Sequence, residues 1–376
     1  LNALIAVLPG DGVGPEVTAQ AVRALEAAAS TTAHTLSFEH APIGAAAIDA
    51  CGSPLPAATL ELCRRADAVL LGAVGGRAPG TDGPRPEEAL LGLRRALGTF
   101  ANLRPVRALP ALAAASPLRP ERVAGTDLLF VRELTGGIYF GRKSRTRRGT
   151  GGERASDTCA YSTREVERVV RAAATLARRR RRRLTSIDKA NVLETSRLWR
   201  EVAERIVCDE FADVRLEHVL VDTFAMRLLQ TPADFDVLVT ENMFGDILTD
   251  EAAVLAGSIG VLPSASLRID ARGRVRAGIY EPVHGSAPDI AGCDAANPVG
   301  AILSAALLLR HSLRLDAEAA GIEAAVERTL ATGLRTPDLA AVGATDAVVG
   351  TRAFGDAVAA DLAAHGHTPS TRRMSA

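Results

Sequence analysis

Short apolar runs recur along the chain, each closed by a turn and then by a stretch of helical periodicity. They cover residues 5–8, 68–71, 127–131, 184–187, 218–221 and 235–239. Runs this short, set between helices, predict buried strands of a mostly parallel sheet, and the fold class is α/β. Helical patterns stand out over 86–97 and 166–177. In open α/β sheets ligands bind beyond the carboxyl ends of the strands. The six turns that follow these strands carry Gly10-Asp-Gly, the glycines of 72–76, Arg132, Asp188-Lys-Ala-Asn, Asp222 and Thr240-Glu-Asn. Most chemically capable residues fall there, which predicts a single cleft.

Residues 141–163 break the alternation. They are polar, rich in Arg and Gly and weakly periodic, and they predict an arm that pairs with a partner subunit. Nothing repeats at the period of a solenoid.

Composition narrows the class. The 376 residues are long enough for two lobes, and 44 basic residues balance 44 acidic ones, so no global field points to nucleic acid or membrane. Aromatic content of 3% leaves little for stacking bases. The cysteines (Cys51, Cys63, Cys159, Cys208, Cys293) are scattered, which predicts free thiols in a reducing, cytoplasmic setting. No secretory pattern or membrane-length apolar run is visible. The arginine run 178–183 reads as a solvated helix end rather than an RNA-binding patch, and the last dozen residues read as a frayed tail.

The stretch LPGDGVGPEV looks like a dinucleotide loop, but Pro15 stands where the fingerprint Gly-x-Gly-x-x-Gly needs its last glycine. The fold is therefore not a Rossmann fold. Asp246 and Asp250, four apart in FGDILTD, share a helical face and offer hard oxygen donors for Mg²⁺ or Mn²⁺. Asp222 could add a third ligand. Taken singly, Asp246 could merely compensate a helix N-terminus and Asp250 face solvent. Arg94, Arg104 and Arg132 carry planar forks suited to carboxylates, although surface ion pairing is the plainer role for any one arginine. Lys189 and Tyr139 are candidate proton carriers, alternatively a capping lysine and a core tyrosine. His284 opens a Gly-Ser-Ala-Pro turn in which Asp289 could accept both hydroxyls of a ribose, favouring NAD over NADP, or could simply cap a helix.

Together these motifs are more telling. LPGDGVGPEV, LLGLRRALGTFANLRP, RELTGGIYFG, SIDKANVLE, FGDILTD, LPSASL and EPVHGSAPDIAG follow one another from Ile5 to about Ala364. In that order they resemble the β-decarboxylating dehydrogenases, the family of the isocitrate and 3-isopropylmalate enzymes. The resemblance implies two α/β domains around a cleft, one from 1–99 plus 257–376 and one from 100–256. It implies that Arg94, Arg104 and Arg132 hold the malate carboxylates, that Tyr139 and Lys189 move protons, and that Asp222, Asp246 and Asp250 bind the metal. It further implies a homodimer in which Lys189 and Asp222 serve the neighbour's cleft. NAD would lie on His284, Gly285, Ser286, Ala287, Pro288, Asp289 and Ile290 with Asn297, bordered by the loop of Gly10, Gly12 and Gly14. Leu90, Leu91 and Val192 would form an apolar wall for an isopropyl group, while Glu87 would disfavour a further carboxylate. The implied reaction is NAD-dependent oxidative decarboxylation of 3-isopropylmalate, in leucine biosynthesis. A sister enzyme acting on tartrate, D-malate or another alkylmalate would share every motif but that wall. A non-catalytic or RNA-binding relative would not need the intact acid and base set.

The chain departs from the family pattern at three places. Glu241 stands where a small residue is usual and is expected to add charge near the cleft. Leu1 stands where methionine would be expected. Residues 268–276 lengthen a hairpin ahead of the cofactor loop.

Overall fold

The computed structural model describes residues 1–30, 32–76, 83–147, 151–270, 272–340 and 347–365. The tail beyond His365 lies outside them. The chain runs β1 (Asn2–Gly10), α1 (Gly14–Ser30), β2 (Thr35–His40), α2 (Ala45–Cys51), α3 (Ala57–Arg65), β3 (Ala68–Ala73) and α4 (Glu87–Leu97). It continues through β4 (Ala101–Arg107), α5 (Pro120–Val123), β5 (Asp127–Glu133), β6 (Lys143–Arg147), β7 (Glu153–Asp157), α6 (Thr163–Arg179), β8 (Arg183–Asp188) and α7 (Glu194–Glu210). The remainder is β9 (Arg215–Leu220), α8 (Val221–Gln230), β10 (Val237–Thr240), α9 (Asn242–Ala256), β11 (Pro263–Ile269), β12 (Val275–Pro282), α10 (Val299–Leu308), α11 (Asp316–Ala331) and α12 (Thr351–His365).

Ten strands form one sheet in the order β2-β1-β3-β12-β11-β4-β5-β10-β8-β9. The two flanks pair in parallel, while β12, β11, β4 and β5 meet antiparallel in the middle. The sheet is thus mostly parallel, as its apolar runs predict. Its faces divide by the period of two that strands impose. Ile5 and Val7 enter a core with α1, whereas Ala6 and Leu8 enter a second core with Leu93 and Leu97 of α4.

Two boundaries differ from the sequence reading. Val221 opens α8 instead of closing a strand, and β9 begins earlier, at Arg215. β9 is an edge strand with most positions only partly buried, so its apolar signal is weak. Phe235 precedes β10, following a short helical turn at Pro232–Asp234.

The arginine run is not a uniformly solvated helix end. Arg178 pairs with Asp213, but Arg180 is folded in, its side chain 5% exposed, and bonds Asp127 and the fully buried Asp236. The run ties the end of α6 to the turns before β5 and β10. All five cysteines are free thiols. Among the described residues no helix is long and apolar enough to cross a membrane.

Within 141–163, β6 and β7 pair into an antiparallel hairpin in which every residue of both strands is exposed. A lone two-stranded hairpin is marginal in water. Residues 148–150 of its turn lie outside the described set. After it, Ser162 and Glu165 cap α6 reciprocally: Glu165 N donates to Ser162 Oγ at 3.4 Å, and Ser162 N to Glu165 Oε2 at 2.7 Å.

Candidate active site

Period two along β4 sends Asn102 and Arg104 to the sheet face opposite Leu103, and β5 places Arg132 directly across from Asn102. Against that face lies α9, whose first turns present Asn242, Asp246, Thr249 and Asp250. Arg132 donates to Asn242 Oδ1 through Nε at 3.0 Å and Nη2 at 2.8 Å, and to Asp246 through Nη1. Arg104 donates to Asn102 Oδ1 at 2.8 Å and Thr249 Oγ1 at 2.5 Å, and stands 3.7 Å from Asp246 and 3.5 Å from Asp250. Arg94, on the buried face of α4, pairs with Glu281 of β12 at 2.7 Å. The three guanidiniums converge. Burial, with Arg132 and Arg94 nearby, brings Arg104 down to about 10, and burial with Arg94 also lowers Arg132. Such a cluster is a receptor for carboxylates.

Asp246 is the hub of the cluster. Burial alone would raise its pKa, but Arg132, Tyr139 and Arg104 hold it below the ordinary carboxylate value. Tyr139 donates its hydroxyl to Asp246 Oδ2 at 2.8 Å. Burial and that bond push the phenol up to about 12, so it stays protonated at neutral pH. Asp250, one turn on, is raised by burial and by Asp246 beside it. Two adjacent acids, one of them disfavoured as an anion, fit a divalent cation, whose charge would relieve both. No group of three metal-ligating side chains gathers among the described residues. Asp222 does not join the other two within the chain. It sits in the first turn of α8, largely exposed, where Lys189 Nζ bonds it at 2.8 Å and lowers its pKa.

The glycine loop and the His284 turn meet. Val13 N donates to Ser286 O at 2.8 Å, and a Cβ on Gly12 (φ +56) would collide with that oxygen, so glycine is required there. Asp11 pins the arrangement by accepting from Ala45 N, Ala46 N and Gly75 N, each at 2.9 Å. His284 Nδ1 lies 2.9 Å from Gly285 O, while its Nε2 is buried with no hydrogen-bond partner. Burial lowers its pKa and keeps the ring neutral. An orphaned buried nitrogen beside an exposed Gly285, Pro288 and Asp289, with Ala287 at φ +37, fits a cradle awaiting a polar ligand. Asn297 donates to Asp338 at 3.0 Å, a carboxylate within electrostatic reach of His284, and accepts from Val299 N at 3.0 Å.

Leu90 and Leu91, both half-buried, lie one turn before Arg94 on α4 and share its face. Glu87 opens the helix, exposed, with its carboxyl beside Gly75. Val192 is 62% exposed on the turn that carries Lys189, so within the single chain it walls no cavity with the two leucines. Glu241 lies near the cleft as expected, within electrostatic reach of Tyr139 and Arg132, but it is buried and bonded there. It is the buried N-cap of α9, accepting from Phe244 N at 2.7 Å and Tyr161 Oη at 3.2 Å, with its pKa raised by burial. Sequence reasoning missed Glu281, Asn102, Asn242 and Thr249, the partners that fix the arginines. Glu281 is the acid in EPVHG, and its place in β12 immediately ahead of the His284 turn was the available signal.

The sequence profile of the isocitrate/isopropylmalate dehydrogenase family matches residues 4–358. The chain belongs to this family, and it is an oxidoreductase. It is 59% identical over 343 residues to the 3-isopropylmalate dehydrogenase of Anaeromyxobacter dehalogenans, covering 90% of this chain and 95% of that protein. The 3-isopropylmalate dehydrogenase of Heyndrickxia coagulans is 57% identical over 339 residues, covering 89% and 90%. Among solved structures, the isocitrate dehydrogenase of Methylococcus capsulatus superposes with a TM-score of 0.83 at 33% identity, over 96% of this chain and 99% of that one.

Proposed function

We propose that the chain catalyses the NAD-dependent oxidative decarboxylation of (2R,3S)-3-isopropylmalate to 2-oxo-4-methylpentanoate, a step of leucine biosynthesis. The observation that carries the substrate choice is the placing of Leu90 and Leu91 on the same face of α4 as Arg94: an apolar wall beside a carboxylate clamp. Identity of 59% to a named isopropylmalate enzyme, against 33% to a named isocitrate enzyme, agrees with it.

Arg94, Arg104 and Arg132 would orient the two carboxylates and offset the charge of bringing a dianion to an acidic helix. Lys189 would remove the hydroxyl proton through water or Asp222: the Asp222 carboxylate, which accepts from Lys189 Nζ at 2.8 Å, has the lone pair that takes the proton, and the Lys189 ammonium holds it in place. Tyr139, protonated and hydrogen-bonded at 2.8 Å, would return a proton to carbon after CO₂ leaves. A divalent cation on Asp246 and Asp250 would polarise the substrate oxygens. The turn 284–290 together with Asn297 would hold NAD, with Asp289 available to accept from ribose hydroxyls, and the bound cofactor would supply the hydride-accepting chemistry.

The exposed β6–β7 hairpin and the exposed apolar side chains Val192, Met226 and Ile247 support a homodimer that brings Lys189, Asp222 and Val192 of one copy to the cleft of the other. We further propose the division into 1–99 with 257–376 and 100–256 as the closing units, in a cytoplasmic enzyme.

The test is NADH formation with Mg²⁺ or Mn²⁺ on isopropylmalate, isocitrate and D-malate, with and without chelator. Turnover should be strongest on isopropylmalate and lost with chelator. Leu91→Ala should lower kcat/KM for isopropylmalate about tenfold, the worth of one or two buried methyl groups, and leave D-malate nearly unchanged. Equal losses on both acids would remove the leucines from substrate recognition.

A further inference from the structure

On the face of the sheet away from the arginine cluster lies a groove of about 530 Å³, within the size range of small-molecule sites. Its floor is apolar, formed by Phe100 and Leu103 at the start of β4 and by Leu267 and Ile269 of β11. The lengthened β11–β12 hairpin supplies one wall and α6 the other.

Two polar groups at its edge lack partners. Arg179, in the last turn of α6, lines the groove and makes no hydrogen bond or ion pair among the described residues, unlike Arg178 and Arg180 beside it. His311 lines it from a short π-helical turn at Leu309–Leu313, a local irregularity that often accompanies function. Its Nε2 is buried and unbonded, which costs free energy. Burial, with Arg310 and Arg179 close by, pushes the imidazole down to about 3, so the ring is neutral and can donate without adding charge. The other cations of the lining are already engaged: Arg171 with Glu210 and Glu167, and Arg168 with Glu133.

We propose that this groove is a second binding site, for an amphiphilic monocarboxylate whose tail lies on Phe100, Leu103, Leu267 and Ile269 and whose carboxylate sits between Arg179 and His311. One unpaired guanidinium matches one negative charge, and an apolar floor matches a hydrocarbon body better than a phosphate. The site gives Arg179, the member of the arginine run that lines the groove without a partner among the described residues, a role. It is independent of which malate the enzyme oxidises.

Octanoate titrated into the intact protein by isothermal calorimetry tests it. Saturable binding to one site per chain is expected, at least tenfold weaker in Arg179→Gln and unchanged in Arg182→Gln, a neighbouring arginine that does not line the groove. Ile269→Trp, which fills the floor and leaves the charges, should also weaken binding at least tenfold. Inorganic phosphate should not displace octanoate. Absence of saturable heat, equal affinity in wild type and Arg179→Gln, or full displacement by phosphate would each overturn the proposal.

Discussion

Replacing Asp246 by Asn should expose how much the arginine cluster depends on one carboxylate. The substitution keeps the side chain's shape, but it removes the charge facing Arg132 and Arg104, and Tyr139 loses a charged acceptor. Breaking a buried ion pair from one side costs about 3–5 kcal/mol, because the remaining charge is left uncompensated. Here the carboxylate is 36% exposed, so water screens part of the loss. Asn242 still accepts from Arg132, and Asp250 stays within 3.5 Å of Arg104. A cost of about 2 kcal/mol follows, a downward shift of a few degrees in the thermal midpoint at low salt. Malonate should then become the missing counter-charge and restore much of the loss. The assay is thermal unfolding of wild type and Asp246→Asn, each with and without malonate, free of metal and cofactor. If the variant unfolds at the wild-type temperature, or malonate raises both midpoints equally, Asp246 does not neutralise the cluster.

Two other substitutions probe the same physics elsewhere. Arg180→Met should cost about 2–3 kcal/mol, below the full penalty for an unpaired buried charge, because the fully buried Asp236 keeps only Arg181, through its backbone N–H at 2.9 Å and its guanidinium at 3.5 Å, whereas Arg178→Gln, which loses an exposed pair, should cost under about 1 kcal/mol; chemical denaturation separates them, and equal costs would return the run to a plain solvated helix end. The Tyr139 phenol is raised from 10.0 to about 12, so the unfolded chain loses its proton first and the stability this group contributes is kept below pH 10 and lost as pH rises from 10 to about 12. The wild-type profile should therefore fall by roughly 1 kcal/mol more across that window than that of Tyr139→Phe, after discounting for exposure, on top of the fall both share from the raised Cys63, Tyr161 and Tyr280; matching alkaline profiles would contradict the raised value.

The inner strands of the parallel flanks were legible because they are buried on both faces, and unbroken apolar runs such as Val69-Leu-Leu survive in the sequence. β4 was not legible as a strand. It reads Ala-Asn-Leu-Arg-Pro-Val-Arg, and the polar residues that interrupt it are those it turns to the arginine cluster. β2 escaped for a related reason, being an edge strand with no fully buried residue. Among site residues, Asp246 and Asp250 could be paired by spacing alone, since both lie on one helix. Convergence of Arg94, Arg104 and Arg132 could not, since they come from a helix and two strands that only the sheet brings together. The position of Glu241 near the cleft was legible, but its capping role was not, because a carboxylate before a helix looks the same in sequence whether it is free or caps buried amides.

The middle of the sheet has a mechanical consequence. Strands β11 and β4 join the two flanks through three residue pairs, Ala265 with Leu103, Ser266 with Asn102 and Leu267 with Ala101. A hydrogen-bonded sheet spans the molecule where a two-lobed protein would ordinarily place a flexible linker. Relative motion of the flanks would have to be absorbed as added twist along those few rungs, which would make the junction a flexure with a rest angle rather than a free hinge. Such an element returns to its rest shape once its load is gone, and reopening after each cycle would be driven by elasticity of the backbone, with no separate trigger.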